Sequence, residues 1–172
     1  MDLIAQEAGV ARQTIYNRFK NKDALFEAAM KQHWQALSDA LAIDLDPDEE
    51  PSIVLRRAAL HVISFIDDND QVAVTRMVVS ESREAPRLAE DFYRLGKMPL
   101  LQRLTEYLSA AKLRGFLSVR DTHLAAQQFL GMVQEPLFWP RVIGLDVPSE
   151  RDAATVIDEA VSVFVAAYAP AR

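Results

Sequence analysis

Residues 11–22, ARQTIYNRFKNK, carry Arg12, Gln13, Thr14, Tyr16 and Asn17, a run of side chains that hydrogen-bond well and pack poorly in a core. On a helix they face away from Ile15 and Phe19, which stand four residues apart on the other side. Such side chains recognise base edges and phosphate oxygens. The same stretch holds four bases, Arg12, Arg18, Lys20 and Lys22, and no acid, the local positive charge that counterion release from a nucleic-acid backbone requires. On charge alone a merely solvated basic helix would serve as well. The spacing of the residues around it argues otherwise.

Other chemistry finds little footing. His33, His61 and His123 fall in separate segments, none with a metal-ligand neighbour three or four residues away, and the chain has no Cys. No phosphate-cradling glycine loop or paired-carboxylate motif occurs. The alternation Asp44, Asp46, Asp48 superficially suggests a calcium loop, but Glu49 stands where the sixth-position Gly belongs and Leu55 where the twelfth-position Glu belongs. A solvated loop is expected there. No catalytic residue, metal or cofactor is expected, and an all-helical enzyme is the weakest functional alternative.

The elements that must position the polar run are legible on either side of it. Ile4, Ala5 and Ala8 recur at helical spacing, and Gly9 suits the left-handed position just past a helix end. A tight turn at Gly9-Val10 would lead into a second helix, about Arg12 to Phe19, with Ala5 small enough to let the two cross closely and with Val10, Ile15 and Phe19 forming a small core. This is a helix-turn-helix pattern.

The stretch IAQEAGVARQTIYNRFKNKDAL resembles the DNA-binding motif of the TetR family of transcriptional regulators, whose pattern runs I-A-x-x-A-G-V-s-x-x-T-[LI]-Y-x-x-F-x-[SN]-K-[ED]-x-L. The resemblance implies that Arg12, Gln13 and Asn17 read bases, that Thr14, Tyr16 and Lys22 contact phosphate, and that Asn21 caps the following helix, whose N-terminal dipole adds attraction for phosphate. Two departures stand out. Ala11 replaces the usual Ser or Thr cap, at a cost of roughly 1 kcal/mol. The family also places an amphipathic helix before this motif, whereas Met1 lies within the motif's own first helix, so a frayed, repacked or externally completed head is expected.

The chain has 172 residues, half of them apolar, and a net charge of −6. Residues 1–32 hold five bases and four acids, the remainder fourteen and twenty-one, so an acidic body carries a locally basic head. The acidic total does not exclude DNA. Without a signal-like leader or an apolar run long enough for a membrane span, a cytoplasmic protein with no membrane partner is expected.

Beyond Lys22 the pattern is all-α. A helix through Leu25, Ala28, Trp34, Leu37 and Leu41 reaches the breaker Asp44–Pro51; Ser52 caps a central apolar helix to about Asp67; and Val-rich Gln71–Ser82 is read as helix for want of a partner strand. Pro86 opens a segment running to Gly115, with Gly96 and Pro99 expected to bend or interrupt it. Asp121 starts a helix that Pro136 and Pro140 end, and Ser149 caps the last, Arg151 to Tyr168.

The expected division is a partial helix-turn-helix domain, 1–32, and a helical regulatory and dimerisation domain, 33–172. The last two helices, about 121–137 and 151–168, are apolar over too wide an arc for one subunit and are expected to pair with their symmetry mates as a four-helix homodimer interface. His61, Phe65, Met77, Phe92, Met98, Phe129 and Met132 together suit the wall of a cavity for a small apolar effector, although each by itself is better explained as core. The function that follows is a ligand-responsive, dimeric regulator, in type a repressor, with two heads in successive major grooves about 34 Å apart on a palindrome. The alternative is a dimeric helical small-molecule-binding protein whose shortened head no longer grips DNA.

Overall fold

The computed structural model describes residues 1–40, 43–68, 70–145 and 153–170, apart from the side chains of 22, 23, 34–40 and 68. Among these residues all regular structure is helical. The chain divides into two compact units, Met1–Leu37 and Ser38–Arg172.

In the first unit α1 (Asp2–Glu7) and α2 (Arg12–Arg18) pack together, and α3 (Lys22–Ala40) follows. Gly9 adopts φ +65°, which places its N–H on the Gln6 carbonyl at 3.1 Å and returns the Val10 N–H to the Ala5 carbonyl at 3.0 Å. That pair of bonds closes the end of α1 in a Schellman turn. The turn at Gly9-Val10 is as expected, but the small core differs. Among the described side chains of this unit the buried apolar ones are Ala5, Ile15 and Met30, Phe19 is half-buried, and Val10 is 42% exposed. Val10 sits at the outer corner of the reversal, so its side chain is not drawn between the helices. Leu3 and Ile4 are exposed as well.

The second unit is built on α4 (Pro51–Asp68), α5 (Gln71–Glu81), α6 (Pro86–Asp91), a π-helical turn (Phe92–Lys97), α7 (Met98–Leu113), α8 (Thr122–Leu137), α9 (Trp139–Val142) and α10 (Ala153–Ala167). α10 lies against α4 and α8, and α8 against α7. Their apolar faces close over Val54, Leu55, Leu104, Leu108, Phe129, Val133, Ile157 and Phe164. Phe129 and Phe164 meet edge to face at 5.4 Å in its middle, a geometry that adds to their area burial. A second cluster joins Val62 and Ile66 of α4 to Leu100 and Phe138.

Several local readings are refined. Val-rich Gln71–Glu81 is indeed helical, because tertiary packing overrides strand propensity. Pro51, not Ser52, opens α4, as a proline without an N–H can at the first helical position. The break expected at Gly96 and Pro99 is the π-turn: Pro99 cannot donate to Leu95, and the Met98 N–H bonds five residues back to the Tyr93 carbonyl. Pro136 lies in the last turn of α8, which ends at Leu137, within the expected stretch Leu137–Trp139. Asp121 caps α8 through the Leu124 N–H at 3.0 Å. Gly115, φ +77°, repeats the Gly9 device, with Phe116 N–H on the Ala111 carbonyl at 3.0 Å. The expected Ser149 cap, together with Leu41, lies outside the described residues.

The acidic loop is tied down by arginines. Arg57 reaches Glu49 at 2.8 Å and Arg114 reaches Asp48 at 2.6 Å, while Asp46 accepts from the Asp48 N–H at 2.9 Å in a turn of its own. The Asp48 and Glu49 carboxylates are thus paired with Arg114, just past the end of α7, and with Arg57 of α4. The Tyr107 hydroxyl donates to the Glu49 carbonyl at 3.4 Å, and burial pushes its phenol up to about 12.

Candidate functional site

α2 presents Arg12, Gln13, Thr14, Tyr16 and Asn17 to solvent while burying Ile15. The polar face is already ordered by its own contacts. Gln13 Nε2 donates to Asn17 Oδ1 at 3.0 Å, one helical turn on. The Arg12 guanidinium lies 5.3 Å from the centre of the Tyr16 ring, within cation–π range, and its Nε is 2.8 Å from Asp2 Oδ1. The Tyr16 hydroxyl, and after it the Asp2 carboxylate, hold the Arg12 guanidinium above its ordinary value, so it is a permanent cation. Side chains held this way lose less freedom when they meet a partner.

α2 begins at Ala11 with no side-chain cap, as the sequence implied. α3 has one: Asn21 Oδ1 accepts from the Ala24 N–H at 2.8 Å. The Lys22 side chain lies outside the described residues. Asp2 was not singled out from the sequence, because nothing in a one-dimensional pattern brings the first turn of α1 against the first residue of α2.

The seven residues expected to wall a pocket are dispersed. Phe129 is fully buried in the main core, with Met98 and Met132 partly buried against it. Phe65 packs at the edge of the second cluster, and His61, Met77 and Phe92 are each half-buried on α4, α5 and the π-turn. A surface groove of about 310 Å³ between α4 and α10 is lined by Ser52, Ile53, Arg56, Asp158, Val161 and Ser162, none of them among the seven. Its two charges neutralise each other, Arg56 meeting Asp158 at 2.7 Å.

The buried polar residues of the body were missed by sequence reasoning. Gln71 and Thr75 are 7% and 3% exposed, one turn apart on the buried face of α5, and the Thr75 hydroxyl has no hydrogen-bond partner. Polar residues four apart in an otherwise Val-rich helix were the available signal. Among the described residues no three His, Cys, Asp or Glu side chains gather as a metal site, and no helix is long and apolar enough to cross a membrane.

Residues 1–29 match the family model described as bacterial regulatory proteins, tetR family, and residues 53–170 match that of the AefR-like transcriptional repressor C-terminal domain. None of the curated proteins compared with the chain matches it. Among solved structures the flavonoid-responsive regulator FrrA is 31% identical, with all of this chain and 87% of that one aligned at a TM-score of 0.77. A TetR family regulator from Pseudomonas syringae pv. tomato, 23% identical, covers 98% of this chain and 84% of its own at 0.76. A TetR-family regulator from Mesorhizobium loti, 22% identical, covers 96% and 84% at 0.74; these last two speak for the fold alone. With residues 1–29 and 53–170 each matched by a family model and the helix-turn-helix in place, the chain belongs to the TetR family of transcriptional regulators.

Proposed function

We propose that this regulator is a cytoplasmic repressor that binds a palindromic operator as a homodimer and leaves it when a small effector occupies the body. The observation that carries the reading is the outward, pre-ordered polar face of α2, with Arg12, Gln13 and Asn17 as base readers and Thr14, Tyr16 and Lys22 on phosphate. Asn21 caps the first turn of α3 by accepting from the Ala24 N–H, and the N-terminal dipole of that helix favours a nearby phosphate. The match of the body to a repressor C-terminal domain supports the direction of control.

Pairing through α8 and α10 is supported by what those helices leave open: Leu124 is 49% and Val163 55% exposed, with Gly131, Ala166 and Ala167 exposed alongside. Small residues beside two large apolar ones suit a close helix-on-helix contact across a two-fold axis. The flavonoid response in the name of the 31% identical relative supports a hydroxylated aromatic effector here. Such an effector acts by binding better to forms of the dimer with lower operator affinity.

Selection of DNA from a random duplex pool by the full chain tests the reading, with sedimentation velocity at micromolar concentration alongside. Enrichment of an inverted repeat and a dimeric species are expected. A monomer, or a pool that stays random, overturns it. The second reading, a dimeric ligand-binding protein with a head that does not grip DNA, draws on the exposed Leu3 and Ile4 of α1, and a dimer that enriches no sequence would favour it.

A further inference from the structure

A buried hydroxyl without a partner is an uncommon feature that calls for a reason. Leaving such a group unmet costs about 1–3 kcal/mol. Thr75 is in this position, 3% exposed with Oγ1 unbonded, on the face of α5 that it shares with buried Gln71 and Val78. α5 packs against α4, α6 and α9. Through Val72, one turn before Thr75, it reaches the second apolar cluster, whose edge residues Phe65, Val72 and Val142 remain only partly buried.

The charges around this face also constrain what could bind. Arg76, the sole cation in the sequence of α5, donates through Nε to the Val142 carbonyl at 2.8 Å and through a second nitrogen to the Arg141 carbonyl, so it caps the end of α9. Arg141, the sole cation of α9, pairs with Asp67 at 2.6 Å. The arginines of α4 are likewise engaged, Arg56 by Asp158 and Arg57 by Glu49. A carboxylate or phosphate entering between α4, α5 and α9 would find every arginine of those three helices already holding an acceptor and would bear much of its desolvation uncompensated.

We infer that the Thr75 hydroxyl is the hydrogen-bond anchor of an effector site beside α4, α5 and α9, taking an uncharged, mostly apolar molecule through a hydroxyl or carbonyl. The inference rests on the effector-responsive reading above and adds to it an anchor residue and a charge class. A neutral phenol or ketone fills both needs: its apolar body extends the second cluster and its polar atom satisfies Oγ1. Thr75 is then a residue whose polarity is wasted in the free protein and used in the complex.

Calorimetric titration of the full-length dimer with the flavanone naringenin as neutral probe and salicylate as anionic probe tests this, in wild type, Thr75→Val and Thr75→Ser. Wild type is expected to bind naringenin at least about tenfold tighter than salicylate. Thr75→Val, the same shape without the hydroxyl, should weaken naringenin about tenfold. Thr75→Ser should stay within about threefold of wild type. The melting temperature of Thr75→Val should equal or exceed that of wild type, since the hydroxyl has nothing to lose in the free chain. Unchanged naringenin affinity in Thr75→Val, or a melting temperature lowered by several degrees, overturns the anchor while leaving the effector reading intact. Tighter binding of salicylate overturns the charge class. A wild-type protein that binds neither probe removes the hydroxylated-aromatic effector reading, and the anchor with it.

Discussion

The two units solve the problem of order in opposite ways. The body buries its large side chains in a core shared by α4, α7, α8 and α10 and pairs its charges across elements, Arg57 with Glu49, Arg114 with Asp48, Arg141 with Asp67. The head buries Ala5, Ile15 and Met30 and leaves Leu3, Ile4 and Val10 exposed. What order it has beyond that comes from surface contacts among the side chains of α1 and α2. The comparison teaches that apolar burial in this chain is concentrated away from the residues proposed to meet DNA, so the head is the element a partner can still stabilise by mass action.

The largest effect that tests the contrast is in the body. Phe129→Ala removes a ring with no exposed surface and should destabilise by about 3–5 kcal/mol, read as an early denaturant midpoint. A loss below about 1 kcal/mol would mean that the body is looser than its packing implies.

The head answers to a different measurement. Arg12→Ala should weaken binding to a selected operator by roughly 1–3 kcal/mol and relax the preference at one base position if it reads a base, or lower only the salt slope by about one if it touches phosphate. The global melting temperature should hardly change. An affinity and slope both equal to wild type would remove Arg12 from the contacting residues.

Gly9 and Gly115 sharpen the comparison because each closes a helix by the same turn at positive φ, with open space where a Cβ would go. Changing either to Ala should cost about 1 kcal/mol of local strain and little else. In Gly115→Ala that loss should appear as a small shift of the body's melting curve. In Gly9→Ala it should appear as weaker operator binding and faster amide exchange in α1 and α2. Equal effects of both on the melting curve would show that the units unfold as one.

The smallest expected change is Asp2→Asn. It removes the carboxylate 2.8 Å from Arg12, an exposed pair of the kind that contributes little to stability. Binding to random DNA should rise a few-fold while the operator's advantage shrinks. A parallel rise for both DNAs would show that Asp2 acts by charge alone and does not position Arg12.

The sequence went furthest where a local rule has one structural solution. Gly9 marked the end of α1 because a left-handed residue without a Cβ is the low-strain way to reverse there, and Asn21 and Asp121 marked helix starts because each side chain meets an N–H three residues on. The Gln71–Glu81 helix was reached against propensity by noting that a lone strand has nothing to pair with. The same reasoning put Val10 in the small core, although it is 42% exposed, since corner geometry leaves no trace in a residue's own spacing.

The seven-residue pocket shows the limit most clearly. Aromatic and Met side chains at helical spacing are the same letters whether they fill a core or border a space, and Phe129 filled the core.

By itself, then, the chain's order of residues determined an all-helical molecule with a basic reading face on α2 and an acidic body, because capping, helical period and charge act within a few residues of one another. Only the folded structure decided that Asp2 braces Arg12, that Arg57 and Arg114 tie down the acidic loop, and that Thr75 is buried with its hydroxyl unmet. Those outcomes depend on which faces meet across tens of residues, and no local pattern records that.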